Sequence, residues 1–219
     1  MKLLLVFVAV LGTVFAEDDY CYNDVVAACK PAGGEDLTHC NARYGGIGSV
    51  EYDLQSYANK HITHSFQYLL LSSHFGNYEK QRMGFSKMFK KLSDTAWKDG
   101  IELIKYLTKR GGIMDFKSKR QEDTLVETQK DTYELYELES LAKALDIQKS
   151  LANEANRIHS LAVEDGEIQS YLESAFAHEL SESVRRLSGH TNDLKNLLAS
   201  SKQNSLHMYL FDEYLKKIY

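Results

Sequence analysis

A chain of 219 residues, 43 % of them apolar, with a net charge of −5 at pH 7, is long enough for one or two globular domains and too acidic overall for a nucleic-acid surface. Its single proline is Pro31. Beyond it nothing breaks a helix by proline, β-branched runs are few, and the composition indicates an all-α protein.

Residues 1–16 read MKLLLVFVAVLGTVFA. Lys2 supplies a positive start, Leu3 to Phe15 is an apolar run too short to span a bilayer comfortably, and Val14-Phe15-Ala16 suits signal-peptidase cleavage. The alternative is a membrane anchor or a buried helix. No second such run follows, so the mature chain is expected outside the cytosol with no membrane span. The three cysteines, Cys21, Cys29 and Cys40, lie just after this segment, and the helical body has none. A secretory chain oxidises them, and an odd number leaves one thiol for another subunit, or free and buried. Spacing leaves the pairing open. No Asn-x-Ser/Thr sequon occurs.

Residues 17–48 form a Cys-containing amino-terminal extension, with Pro31-Ala32-Gly33-Gly34 and Gly45-Gly46 as breakers. A first helix is predicted from about Val50 to Phe75, with Leu54, Ala58, Ile62, Phe66, Leu69 and Leu70 as its apolar stripe and Gly76-Asn77 as its end. A second runs from near Glu79 to Arg110, with Met83, Met88, Phe89, Leu92, Ala96, Ile101, Ile104 and Leu107 facing inward. Arg110-Gly111-Gly112 stops it, a cation in the last turn followed by glycines. A long polar passage follows, from Gly111 to about Thr132. A third helix spans about Tyr133 to Ala162 and a fourth about Glu167 to Ala199, with Asp165-Gly166 as the turn between them. A shorter fifth segment covers Ser205 to Ile218.

Connection lengths fix the topology. A helix of about 30 residues is about 45 Å long. A link of about 20 residues can climb that distance, and a link of about five cannot. Helices one and two therefore form one antiparallel hairpin and helices three and four another. The middle link travels the bundle and sets helices two and three parallel. One long crossover is the ferritin-like arrangement of four-helix bundles; two would be the cytokine arrangement.

Several stretches then resemble ferritin in order and spacing. Tyr68-Leu69-Leu70-Leu71-Ser72-Ser73-His74-Phe75 resembles the end of its first helix, and Tyr106-Leu107-Thr108-Lys109-Arg110-Gly111-Gly112 the end of its second. Leu187-Ser188-Gly189-His190-Thr191-Asn192-Asp193-Leu194 resembles part of the fourth, and Tyr209-Leu210-Phe211-Asp212 part of the fifth. The likeness covers a ferritin-like domain at residues 49–219. The leader and the cysteines resemble those of secreted insect ferritins. This implies an all-α, ferritin-like bundle with one long crossover and a short fifth helix, in a 24-subunit shell that stores ferric iron mineral.

The resemblance also marks where active subunits of the family hold two irons, a chemistry that needs hard anionic oxygens and imidazole. The first-helix glutamate position is His61 here, the second-helix Glu-x-x-His is Ala96 and Asp99, the third-helix glutamate is Gln148, and the fourth-helix glutamine is Leu180. Tyr68 matches the tyrosine beside the site, and Glu179 a matched outer residue. Ala96 and Leu180 cannot ligate. The implied subunit is of the light-chain type: no catalytic residues, no tight iron site of its own, and a disulfide-linked heavy chain as partner. His61 and Asp99 are expected to form a salt-bridged or hydrogen-bonded pair rather than a metal site. His159 and Glu173 fall on three-fold channel positions, where a usual aspartate is Ser170. Lys87, Lys90, Lys91, Asp94 and Lys98 lie on the face of the second helix that the resemblance turns toward the shell cavity and make it mostly basic, which disfavours mineral nucleation there. The competing function classes are a ferroxidase in its own right and a secreted helical-bundle signalling or binding protein.

Overall fold

The computed structural model describes residues 21–27, 37–116, 136–199 and 204–219. The expected leader 1–16, Cys29 and most of the long connection after Gly111 lie outside the described residues. The chain divides into two units, Met1–Ala42 and Arg43–Tyr219.

In the first unit, Cys21 is disulfide-bonded to Cys40, which resolves a pairing that spacing left open. A short helix, α1 (Cys21–Ala27), stands in the Cys-containing extension, for which no helix is predicted. Asp24 on it accepts a hydrogen bond from the His39 backbone N–H (2.7 Å), and its other oxygen lies 2.9 Å from His39 Nδ1. The bond to the His39 ring, more than the backbone bond, holds the Asp24 carboxyl below its usual range.

The second unit is a helical bundle, with no strand among the described residues. α2 (Ile47–Phe75) and α3 (Met83–Lys109) form the first hairpin. α4 (Glu137–Leu161) is followed by α5 (Gly166–Leu172), a π-helical turn (Glu173–Ala177) and α6 (His178–Ala199), which together make the fourth long helix. α7 (Asn204–Ile218) closes the unit and packs against α3 and α6.

Ion pairs at the helix ends report the directions. Arg82, just before α3, pairs with Glu137 at the start of α4 (Nε–Oε1 3.0 Å). Arg110, just after α3, pairs with Asp165 just before α5 (2.7 Å). α3 and α4 therefore start at one end and finish at the other. They run parallel, as the link lengths require.

α3 stops as its glycines predict. Gly111 takes φ +77°. Its N–H reaches Thr108 O (3.1 Å), and the Gly112 N–H reaches Leu107 O (2.9 Å), the paired bonds of a Schellman end. The start of α3 differs from the prediction: the helix begins at Met83 rather than near Glu79. Asn77 Oδ1 accepts from the N–H groups of Glu79 and Lys80, folding those residues into a turn. The helix is then capped from far away in sequence, since Asp212 Oδ1 on α7 accepts from the Gly84 and Phe85 N–H groups (2.9 and 3.0 Å).

The predicted stripe of the first helix needs correction. Leu54 and Ala58 are buried, but Phe66 is 54 % exposed, Leu70 52 % and Leu69 39 %. The inner face is Val50, Leu54, Tyr57, His61, Ser65, Tyr68, Ser72 and Phe75. Serines occupy it because α2 and α3 approach closely: Ser93 Oγ donates to Ser65 O, and the hydroxyls of Ser72 and Ser86 each donate to the other's carbonyl (2.8–2.9 Å). On α3, Leu103 is buried, whereas Ile101 and Ile104 are half-buried and Met83 is exposed.

The fourth helix is predicted continuous and instead contains the π turn. Its buried residues explain why. Ile168, Leu172, Phe176 and Leu180 follow one another at steps of four. In an α-helix each such step rotates the stripe by about 40°, and a wider π turn restores the register.

Candidate functional site

The positions singled out on helices one to four converge. His61 on α2, Ala96 and Asp99 on α3, Gln148 on α4, and Glu179 and Leu180 on α6 line one interior cavity of about 60 Å³. One water needs roughly 10–15 Å³ of such space. Helical spacing makes this possible: Ala96 and Asp99 are one turn apart on α3, and Glu179 lies two residues past the π turn, whose Phe176 also lines the cavity.

Tyr68 sits beside the cavity, fully buried. Its hydroxyl donates to Ala144 O (3.4 Å) and accepts from Gln148 Nε2 (3.2 Å). Burial pushes its phenol well above the usual range, so it stays protonated. The amide of Gln148 is thereby tied to a tyrosine and carries no charge.

His61 is 1 % exposed, and neither ring nitrogen has a hydrogen-bond partner among the described residues. Its Nδ1 lies 3.7 Å from Asp99 Oδ2. The two expected partners thus stand within ion-pair distance but beyond hydrogen-bonding reach, and the contact is not a charged one. Desolvation is the reason. Burial, with a smaller effect of His64, pushes the imidazole down to about 3. Burial, with the charge of Glu179 behind it, pushes the Asp99 carboxyl up to about 7, against a smaller pull from Lys98. Each group is driven toward its neutral form.

The set is chemically poor in ligands. Ala96 and Leu180 contribute only hydrocarbon to the cavity wall, and Gln148 is neutral. Among the described residues no group of three or more His, Cys, Asp and Glu is gathered as a metal site would gather them.

The other sequence-predicted pair does meet. His159 in the last turn of α4 has Nε2 3.0 Å from Oε1 of Glu173, the first residue of the π turn. Both are partly open to solvent. The basic residues Lys87, Lys90, Lys91 and Lys98 line a separate open recess on the outside of α3.

One feature escapes the motifs. Arg110, read in the sequence as a last-turn cation, is 1 % exposed. It donates to Asp165 (2.7 Å) and to Tyr44 O (3.0 Å), it contacts Glu167 closely, and its guanidinium stacks 4.0 Å from the Tyr44 ring. Asp165 also accepts from the N–H groups of Gly46 (3.0 Å) and Ile168 (3.2 Å). This clasp joins the segment before α2, the end of α3 and the start of α5 at one end of the bundle. Only the Arg-Gly-Gly and Asp-Gly stops hint at it in the sequence.

Comparison with known proteins agrees with this architecture. Residues 53–197 match the ferritin-like domain family model. The chain is 44 % identical over 207 residues to a ferritin light chain of Drosophila melanogaster, covering 92 % of this chain and 91 % of the relative. It is also 44 % identical over 235 residues to a ferritin light chain of Trichoplusia ni, covering 99 % of both. The crystal structure of Trichoplusia ni secreted ferritin superposes with a TM-score of 0.81 at 43 % identity, covering 91 % of this chain and 99 % of that one. With the bundle, the parallel central helices and the added fifth helix all in place, the chain belongs to the ferritin family.

Proposed function

We propose that this chain is a light-chain type subunit of a secreted ferritin: a wall element of an iron-storing shell that has no ferroxidase centre of its own. One observation carries the reading. Where two irons would need carboxylates and an imidazole, the cavity presents Ala96, Leu180 and a tyrosine-bound Gln148, with His61 and Asp99 both pushed toward neutrality. Iron is the cargo in this reading, and its oxidation falls to a partner.

The partner is a catalytic heavy chain co-assembled in a 24-subunit shell. Support comes from the relatives described as light chains and from the exposed apolar residues Phe66, Leu70 and Trp97, which suit burial between subunits. With Cys21 bonded to Cys40, Cys29 is the thiol left for a link between subunit types. The leader-like residues 1–16 and the disulfide fit the secretory lumen. His159 and Glu173 line the iron entry channel, where three copies of Glu173 around an axis would attract cations. The basic face of α3, which the family likeness turns toward the shell cavity, favours a structural role over nucleation of mineral.

The test is Fe(II) oxidation followed by absorbance in stopped flow, on this chain assembled alone and with a heavy chain. The expected outcome is oxidation by the mixture and only the slow uncatalysed rate from this chain alone. Fast dioxygen-dependent turnover by this chain alone would refute the reading.

A further inference from the structure

A recess on the outer side of α3 stands against the acidic balance of the chain. It is open to solvent, with a volume of about 610 Å³, and four of its lining residues are lysines: Lys87, Lys90, Lys91 and Lys98. Asp94 is the only Asp or Glu side chain that lines it, and that carboxylate is taken by Lys90. Among the described residues, Lys87, Lys91 and Lys98 make no ion pair. In a protein of net charge −5 this is a local reversal of sign.

Helix geometry gathers these ammonium groups. At about 100° per residue, positions 87, 90, 91 and 98 fall within an arc of roughly 100° on one face of α3. Lys87 and Lys91 are one turn apart, about 6 Å along the axis. The ring of Tyr219 holds Lys91 from the side, with Nζ 5.4 Å from its centroid. Thr95 contributes a hydroxyl to the same wall. Lys91 and Thr95 also line the interior cavity behind, whose charged lining is mixed, with Arg186 beside Asp99 and Glu179.

We propose that this recess is a binding site for a small inorganic oxyanion of the phosphate class. Mutual repulsion among like charges on one face is unfavourable, and a multiply charged anion relieves it. Lysines bind phosphate as point charges, without the planar register an arginine fork requires, so a flexible set on one helix face suffices. A concave wall focuses the field more than a flat lysine surface would. The purpose of the site rests on the iron-storage reading, in which a bound oxyanion supplies counter-charge to ferric iron. The binding itself does not.

Equilibrium dialysis of inorganic phosphate against the iron-free assembled protein at low ionic strength tests this. A saturable phosphate site is expected. The double variant Lys87→Gln, Lys98→Gln weakens it about tenfold or more, the worth of one charge-assisted hydrogen bond. Lys105→Gln, which alters a lysine paired with Glu102 elsewhere on α3, leaves it unchanged. Gel filtration and helical circular dichroism verify that each variant assembles; should the double variant fail to, Lys98→Gln alone gives the comparison. Absence of saturable binding, or an equal loss in Lys105→Gln, overturns the proposal. No iron is present, so that failure leaves the storage reading standing, and failure of the oxidation assay leaves the oxyanion site standing.

Discussion

The buried clasp around Arg110 makes the sharpest stability prediction. In Asp165→Ala, Arg110 loses its 2.7 Å partner while remaining almost wholly buried, and the N–H groups of Gly46 and Ile168 lose their acceptor. Breaking a buried pair from one side costs about 3–5 kcal/mol, because it strands a charge away from water. Close contact with Glu167, itself partly exposed, keeps the loss toward the lower end. For a unit of this size about 1 kcal/mol shifts the melting temperature by about 2–4 °C, so a loss near 3 kcal/mol lowers the melting point by about 6–12 °C in matched-rate calorimetry. The paired change Arg110→Met, Asp165→Leu recovers the part of the loss that comes from the stranded charge, while the Gly46 and Ile168 N–H groups stay without their acceptor. The pH dependence follows from the Arg110 hydrogen bond, which lowers the Asp165 carboxyl. Its contribution is present above the unfolded value of about 3.9 and is lost as pH falls through the depressed folded value. Asp165→Asn flattens that acid limb. A fall of less than about 2 °C in Asp165→Ala would refute the account of the clasp, as that is what an exposed pair such as Arg185–Glu182 is worth.

Other outcomes follow from the same geometry. Asp99, raised to about 7 by burial, binds its proton more tightly folded than unfolded, so its effect on stability worsens as pH rises from about 4 to 7. Asp99→Asn is therefore more stable than the parent at pH 8, by up to about 4 kcal/mol, and equal to it near pH 3.5 in thermal melts. A methyl group at Gly84 would lie 2.0 Å from the Asp212 carbonyl oxygen. Gly84→Ala thus pushes α7 off α3 at a cost of about 1–3 kcal/mol, read as faster hydrogen exchange along Asn204–Ile218. Cys29→Ser abolishes a reducible heterodimer band on non-reducing electrophoresis, whereas the Cys21–Cys40 bond stays intact by mass spectrometry.

Much of the fold was readable along the chain. The lengths of the connections dictated antiparallel hairpins and parallel central helices, because geometry alone forbids a short link from climbing a bundle. Arg110-Gly111-Gly112 announced a Schellman end. Phe66 and Leu70 misled, since apolar residue type says nothing about which neighbour covers it, while Ser65 and Ser72 took the inner face so that two backbones could approach. The steps of four from Ile168 to Leu180 carried a signal for the π turn that a single-period reading passes over. The cap from Asp212 was not legible at all, for it depends on a contact across the whole fold. At the candidate site, the positions of His61, Asp99, Gln148 and Leu180 came from resemblance. Their neutral, non-bonded arrangement came only from burial.

The most direct test of the proposed lack of a two-iron centre is iron-edge anomalous diffraction from crystals of this chain soaked anaerobically in ferrous salt. The account predicts no pair of iron peaks in the cavity bounded by His61, Asp99, Gln148 and Leu180. Two ordered irons there, at the spacing of a bridged pair, would contradict it.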